Sequence, residues 1–355
     1  MVLNVSFCLK NMLNVLVIGD PHFKISNIKE TDEMTVQIIE VAKNKKPDFI
    51  IVLGDILDRH ELINMMPLIR SIKFLKQLQD IAFLYVIIGN HDRKNNKDFL
   101  TEDHPFTALK YWDNTKIIDT VEIININKYD KNFKFTMVPY VEPGRFEEAL
   151  SLKPNWHDSV CIFCHQEFKG AQMGAIKSIN GDVWCKTNPY IISGHVHDYQ
   201  KLQNNILYIG TPIQHKFGDN ANKIIAFFKF DNIMIDKHDS CQFQAINLNV
   251  TLKKIIHLTP KNICTYDLEQ GIDAKIIITG TSTEIKSIMK HPNISIWQKL
   301  GARITYKDII AQRTPISSIQ YNPSNKLENY STVLYNHIKD DKDLHLLHNE
   351  IFGTH

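Results

Sequence analysis

Five short polar clusters carry the residue types that could do chemistry: Asp20 and His22 in GDPH, Asp55 in GDILD, Asn90, His91 and Asp92 in GNHD, His165 in CHQE, and His195 and His197 in GHVH. Carboxylate, amide oxygen and imidazole together suit hard-to-borderline divalent ions such as Mn, Zn or Fe. A carboxylate can bridge two such ions, and ions about 3.5–4 Å apart can clamp a phosphate between them. His195 and His197 are two apart, so in an extended segment their imidazoles share one face. With 16 His in the chain some pairs will fall this close by chance, so the five clusters in order carry more weight than any one of them.

Each cluster follows an apolar run. NVLVIGD (14–20), DFIIVLGD (48–55) and AFLYVIIGNHD (82–92) read as strands, with helical periodicity over 30–45 and 61–79 between them and Pro67 at a turn or kink. That alternation predicts a parallel or mixed sheet covered by helices, with the polar clusters at the carboxyl ends of the strands, where open α/β sheets bind ligands. In four of the five clusters a Gly stands directly before the first polar residue, letting the chain turn sharply and leaving room beside it. KIIDTVEIIN, FKFTMVPY, SVCIFCHQE, PYIISGHVH, ILYIGTP and KIIAFFKF read as further strands of a second packed sheet. After about residue 247 a strand at 274–280, a helix at 282–290 and an extended run at 294–306 outline a small α/β unit, and 324–352 reads as amphipathic helix. The expected organisation is an N-terminal extension over 1–12, a main domain over 13–245, a small α/β domain over 246–315 and a C-terminal amphipathic segment over 316–355. Translation starting at Met12 would remove the extension.

A chain of 355 residues accommodates one large and one small domain. A net charge of +2 argues against histone-like nucleic-acid binding but leaves room for a local basic groove. No apolar run reaches the roughly 18 residues of a membrane span, and the N-terminus lacks the basic region of a signal peptide. The CxxC at Cys161 and Cys164 lies in the apolar run VCIFC and has no second pair, so it reads as packing rather than zinc. Unpaired thiols of this kind suit a reducing intracellular compartment, cytoplasmic or nuclear.

The order GDxH, GDxxD, GNHD, H, GHxH resembles the calcineurin-like metallophosphoesterases over roughly residues 13–230. The resemblance implies an α/β fold, a two-sheet sandwich flanked by helices and followed here by a small α/β capping domain. It implies two divalent ions, Mn2+ first and Mg2+, Zn2+ or Fe as alternatives. Asp20, His22 and His197 would hold one ion, Asn90, His165 and His195 the other, and Asp55 would bridge them. His91 would assist the transition state or protonate the leaving oxygen, with Asp92 orienting its ring. Within the superfamily, HQEFKGAQMGAIKSINGDVW and GTPIQHKFGDNANK resemble segments of SbcD-type nucleases, phage recombination nucleases among them. That narrower likeness implies a DNA exo/endonuclease subunit of recombination and double-strand-break repair. Its partners would be DNA, an SMC-like ATPase bound by the C-terminal segment, and a second copy packed through 61–79 and a helix at 95–112. Met65, Met66, Leu68, Ile69, Ile72 and Leu75 are the candidate dimer contacts; ordinary core is their competing reading. The motor must be separate, because the chain has no GxxxxGK[ST] loop. Competing readings are a phosphatase for proteins or small phosphoesters, and a DNA-end-bridging scaffold with a dormant site. Several relatives carry His where this chain has Asp58, so neither Asp58 nor His60 receives a role; Lys94, Lys97, Lys169, Lys177 and Lys216 are candidate phosphate contacts. His238, His257 and His291 lack motif context and are not expected to be ligands. Asn, Lys and Ile are frequent, which with the phage-like segments hints at an A/T-rich, viral source.

Overall fold

A computed structural model describes residues 12–60, 62–231 and 241–309, with 338, 344 and 348. The expected extension over 1–12, apart from Met12, most of the 316–355 segment, and His238 lie outside the described residues.

One sheet has the order β14-β13-β1-β2-β3-β4, formed by β1 (Leu13–Ile18), β2 (Phe49–Val52), β3 (Phe83–Ile87), β4 (Thr115–Ile118), β13 (Ile224–Phe230) and β14 (Cys241–Asn247). The run β1 to β4 is parallel, so each step needs a crossover. Helices α1 (Ile28–Lys45) and α2 (Met65–Gln79) make the first two. The α1 helix stops at Lys46, which is left-handed and returns its N–H to the Ala42 carbonyl, while Lys43 and Lys45 complement the negative end. Pro67 does not kink α2. It is the third residue of the helix, where its missing N–H would have had no intrahelical partner.

The second sheet has the order β11-β12-β10-β7-β6-β5, from β5 (Glu122–Lys128), β6 (Lys131–Val138), β7 (Cys161–His165), β10 (Tyr190–Gly194), β11 (Gln200–Gln203) and β12 (Ile206–Tyr208). A short helix α3 (Phe146–Ser151) and a two-stranded ribbon, β8 (Gln172–Met173) with β9 (Ile176–Lys177), stand beside it. Strand β1 shows how the layers form. Leu13, Val15 and Val17 meet Phe49, Phe135 and Phe163 between the sheets, while Leu16 and Ile18 join Met34, Ile38 and Phe74 under the helices. Strands buried on both faces read as unbroken apolar runs. The expected two-sheet α/β sandwich is the architecture observed.

Some expectations are corrected. KIIDTVEIIN is two strands in different sheets, β4 and β5, and KIIAFFKF (β13) joins the first sheet rather than the second. No helix spans 95–112. The Asn95 side chain accepts from the N–H groups of Lys97 and Asp98 (2.8 and 3.0 Å) and Thr101 accepts from Asp103 (3.0 Å), which turns the chain and leaves only a 3-10 turn at Thr107–Tyr111. Leu75 is fully buried core, whereas Met65, Met66 and Ile69 are exposed beside Leu62 and Ile63. No helix among the described residues is long and apolar enough to cross a membrane.

Residues 252–308 form a parallel sheet of β15 (Leu252–Leu258), β16 (Ile272–Gly280) and β17 (Arg303–Asp308), with α4 (Ser282–Ile288) and α5 (Pro292–Lys299). The 294–306 run is thus half helix, because Pro292 opens α5 and His291 accepts from the Asn293 N–H. The unit has its own core around Ile276, Ile278 and Trp297. Buried Lys253 ties it to the sandwich through the Glu30 carboxylate and to its own Asp273 (3.0 Å). Gln214 bonds both the N–H and the carbonyl of Lys253 (2.8 and 3.2 Å).

Candidate active site

The seven residues expected as ligands meet where the carboxyl ends of β1, β2 and β3 from one sheet face those of β7 and β10 from the other. Leu53 N–H donates to the Ile18 carbonyl and His22 N–H to the Asp55 carbonyl, locking the first two strand ends together. His22, Asp55 and His195 hold left-handed backbones, at φ of 43°, 47° and 78°. Such conformations cost about 1–3 kcal/mol each and persist where the surroundings over-determine them, often at functional sites. The glycines give the space foreseen. A Cβ on Gly89 would stand 2.3 Å from an Asp55 carboxylate oxygen, and one on Gly194 would stand 2.5 Å from Asp20.

Two donor groups share one carboxylate. Around Asn90 Oδ1 stand His165 Nε2 and His195 Nδ1, both at 3.0 Å, with the two nitrogens 3.3 Å apart and His165 Nε2 3.3 Å from Asp55 Oδ2. On the other side His22 Nε2 lies 3.1 Å from His197 Nε2 and 3.6 Å from the same Asp55 oxygen. Bonds of about 2.1 Å to one ion put neighbouring donors about 3.0–3.4 Å apart, so the spacing around Asn90 matches the edges of a coordination shell. Both Asp20 carboxylate oxygens are buried without a hydrogen bond, and so is His22 Nδ1. Asp20 Oδ1 stands 3.4 Å from His165 Nδ1, but a buried carboxylate without hydrogen bonds is costly, and a cation would remove that cost. The residues therefore fit a pair of divalent ions.

The protonation states agree. Burial pushes the His22 and His197 imidazoles below their usual range, toward the neutral form that binds metal. At His165 burial opposes charge, but the Asp55 and Asp20 carboxylates override it and push the imidazole well above its usual value. Its Nδ1–H donates to the Leu53 carbonyl (2.8 Å), aiming Nε2 at Asn90 and Asp55. Burial would raise Asp55, yet His165 and His22 hold it ionised, well below the usual carboxylate range. Without metal, a proton on His165 supplies the positive charge that the carboxylates demand.

Residues 13–199 match the family Calcineurin-like phosphoesterase. The chain belongs to that family. Similar proteins are phosphoesterase 244L of Invertebrate iridescent virus 6, 39% identical over 78% of this chain and 97% of its own, and phosphoesterase 078R of Invertebrate iridescent virus 3, 34% identical over 87% and 88%. Among solved structures, GAP50, the anchor in the inner membrane complex of Plasmodium, overlaps 68% of this chain and 90% of its own at a TM-score of 0.37 and 13% identity, too distant to argue from. As a calcineurin-like phosphoesterase the protein is a hydrolase of a family that uses divalent metal ions.

In this phosphoesterase Asp92 is not bonded to His91. Its carboxylate accepts from the Leu57 N–H (2.9 Å) and the Gly89 N–H (3.1 Å), stapling the β2 and β3 loops. Burial and the nearby Asp55 charge push that carboxyl up to about 7. Asp92→Asn turns an amide donor toward one of these N–H groups, so a loss of about 1–3 kcal/mol of stability is expected in denaturant titrations. An unchanged midpoint with lowered turnover would instead restore a role on His91. The His91 N–H donates to Asp55 (2.8 Å), and its ring stacks on His60, 5.0 Å between centroids and 15° between planes. His60 Nδ1 donates to the Arg93 carbonyl (3.1 Å), which fixes that platform. Asp58 pairs with Lys24 (2.9 Å) and stands 3.6 Å from His22 Nδ1. Two further neighbours escaped sequence reasoning. Glu167 lies 3.7 Å from His195 Nε2, and buried His215 donates to the Asp20 carbonyl (3.1 Å) with its ring against His22. Both lie in quoted segments, HQE and GTPIQH, where spacing alone gave them no role. Among the candidate lysines, Lys94 is paired with Asp98 and Asp103, while Lys177 and Lys216 are exposed. His257 is exposed on β15 and His291 caps α5, both away from the cluster.

Proposed function

We propose that this phosphoesterase is a manganese-dependent DNA exo/endonuclease subunit that works with a separate SMC-like ATPase in recombination and double-strand-break repair. The observation that supports a diester over a monoester is a cavity on each side of the ligand cluster. One, of about 660 Å3, opens between His195, His197 and Asp198, the β8–β9 turn at Gly174, and the loop with Lys216 and Phe217. The other, of about 300 Å3, lies against His91, with Arg59, Arg93 and Lys94 around it. A phosphodiester carries a substituent on each side of phosphorus; a monoester carries one.

In this reading Asp20, His22 and His197 would hold one ion, Asn90, His165 and His195 would hold the other, and Asp55 would serve both. The ions supply charge neutralisation on the phosphate and a lowered pKa for the attacking water. Asp55 ties the two halves of the site and, through the His91 N–H, places the imidazole of His91 beside the cluster. His91 gives its proton to the leaving oxygen while His60 keeps the ring from turning. The exposed Leu62, Ile63, Met65, Met66 and Ile69 would pack against a second copy. The viral relatives support a place of action in the host cell.

The test is end-labelled linear duplex DNA with manganese or magnesium, beside a phosphomonoester. Manganese-dependent shortening of DNA with slow monoester turnover is expected. Rapid monoester hydrolysis with intact DNA would make the protein a phosphatase. Binding of DNA and metal with cleavage of neither substrate, even with an SMC-like ATPase added, would leave a scaffold.

A further inference from the structure

The loop that follows β10 has to solve a placement problem. It carries both His195, which faces Asn90, and His197, which faces His22, so one short irregular segment serves both donor groups. Between the ends of β10 and β11 its backbone is gripped at the carbonyl of His197. Two N–H donors converge there, the Thr211 N–H (3.1 Å) and the ammonium of Lys223 (2.7 Å), while the Thr211 hydroxyl donates to the Ile213 carbonyl (2.9 Å).

Lys223 stands just before β13 and is only 6% exposed. Lysine is seldom buried to this degree, because its ammonium loses water that it must replace with fixed acceptors. Here the acceptors are the His197 carbonyl and the Asp198 carboxylate (2.9 Å). Pairing with Asp198 leaves little net charge beside the ligand cluster, so the ammonium can grip the loop without strongly repelling a cation. We propose that Lys223 is a positioning residue: by holding the His197 carbonyl it sets the reach of His197 and His195 toward the two ions. Its place at the start of β13, which pairs with β1 in the first sheet, makes the grip a connection from one sheet to the ligand loop of the other.

This inference rests on the reading of the cluster as a two-ion site, and the experiment separates the two. Manganese chloride is titrated into the chelator-treated full-length protein by calorimetry, with paramagnetic resonance of the bound manganese, for wild type, Lys223→Met and Lys223→Arg. The wild type is expected to bind two equivalents; failure to bind any would sink the two-ion reading itself. With two equivalents bound by wild type, Lys223→Met is expected to weaken at least one by about 10-fold or more, the usual effect of removing a group that orients a ligand. Its manganese spectrum should change, and Lys223→Arg, which keeps a charged donor, should recover most of the affinity. Unchanged affinity and spectrum in a folded Lys223→Met protein would overturn the proposal, leaving Lys223 a purely structural buried cation. If Lys223→Met does not fold, Lys223→Gln, too short to reach the carbonyl, is read the same way. Collapse of both would likewise assign Lys223 to folding alone.

Discussion

Asp55→Asn is expected to empty the site. The carboxylate faces His165 and His22 with one oxygen and the His91 N–H with the other, so an amide satisfies at most one side. Metal content after dialysis should fall by at least one equivalent, and turnover by at least about 10²–10³-fold, the scale of losing a fixed electrostatic group at a reacting phosphate. Full metal content with full activity in this variant would disprove the bridging role. The same pair sets a pH dependence. His165 is raised above the ordinary 6.5, so the stabilisation of the metal-free protein by its pairing is complete below about pH 6.5 and is lost as pH rises through the raised value. A ligating imidazole must give up its proton, so manganese affinity should strengthen as pH rises toward that value. His22 and His197 are depressed and already neutral near pH 7, so they contribute no such release. Calorimetry in two buffers of different ionisation enthalpy should find about one proton displaced on loading. No displacement would remove His165 from the ligand set.

His91→Asn should separate chemistry from metal binding. The ring packs on His60 and His22, and its Nδ1 has no hydrogen-bond partner to lose. Two bound ions and an unfolding midpoint close to wild type are therefore expected, with kcat down by about 10²–10⁴-fold, the range for a lost general acid or base. The loss should be smaller for a substrate with a good leaving group, such as a nitrophenyl ester, because that oxygen departs without a proton. An equal loss on both substrates would place His91 in phosphate binding rather than proton transfer.

The cluster of candidate ligands was legible in the sequence because each requirement there is local. A strand end with glycine before a carboxylate or imidazole is written in three or four consecutive letters, and the order of five such ends narrows the family. The central strands were legible because burial on both faces demands unbroken apolar runs. What only the tertiary structure decided concerns partners distant in sequence. The Asp92 carboxylate beside His91 in sequence turned to two backbone amides, since buried N–H groups at the ends of β2 and β3 had no other acceptor. His60, Glu167, His215 and Lys223 acquired their contacts through folding, from loops whose composition resembles many others. The helix at 95–112 came from the narrower resemblance alone; the side chains of Asn95 and Thr101 close local turns there instead, and a 3-10 turn at Thr107–Tyr111 follows. KIIDTVEIIN was divided between sheets because strand propensity is a property of the residues, whereas strand pairing depends on which neighbour the fold brings alongside.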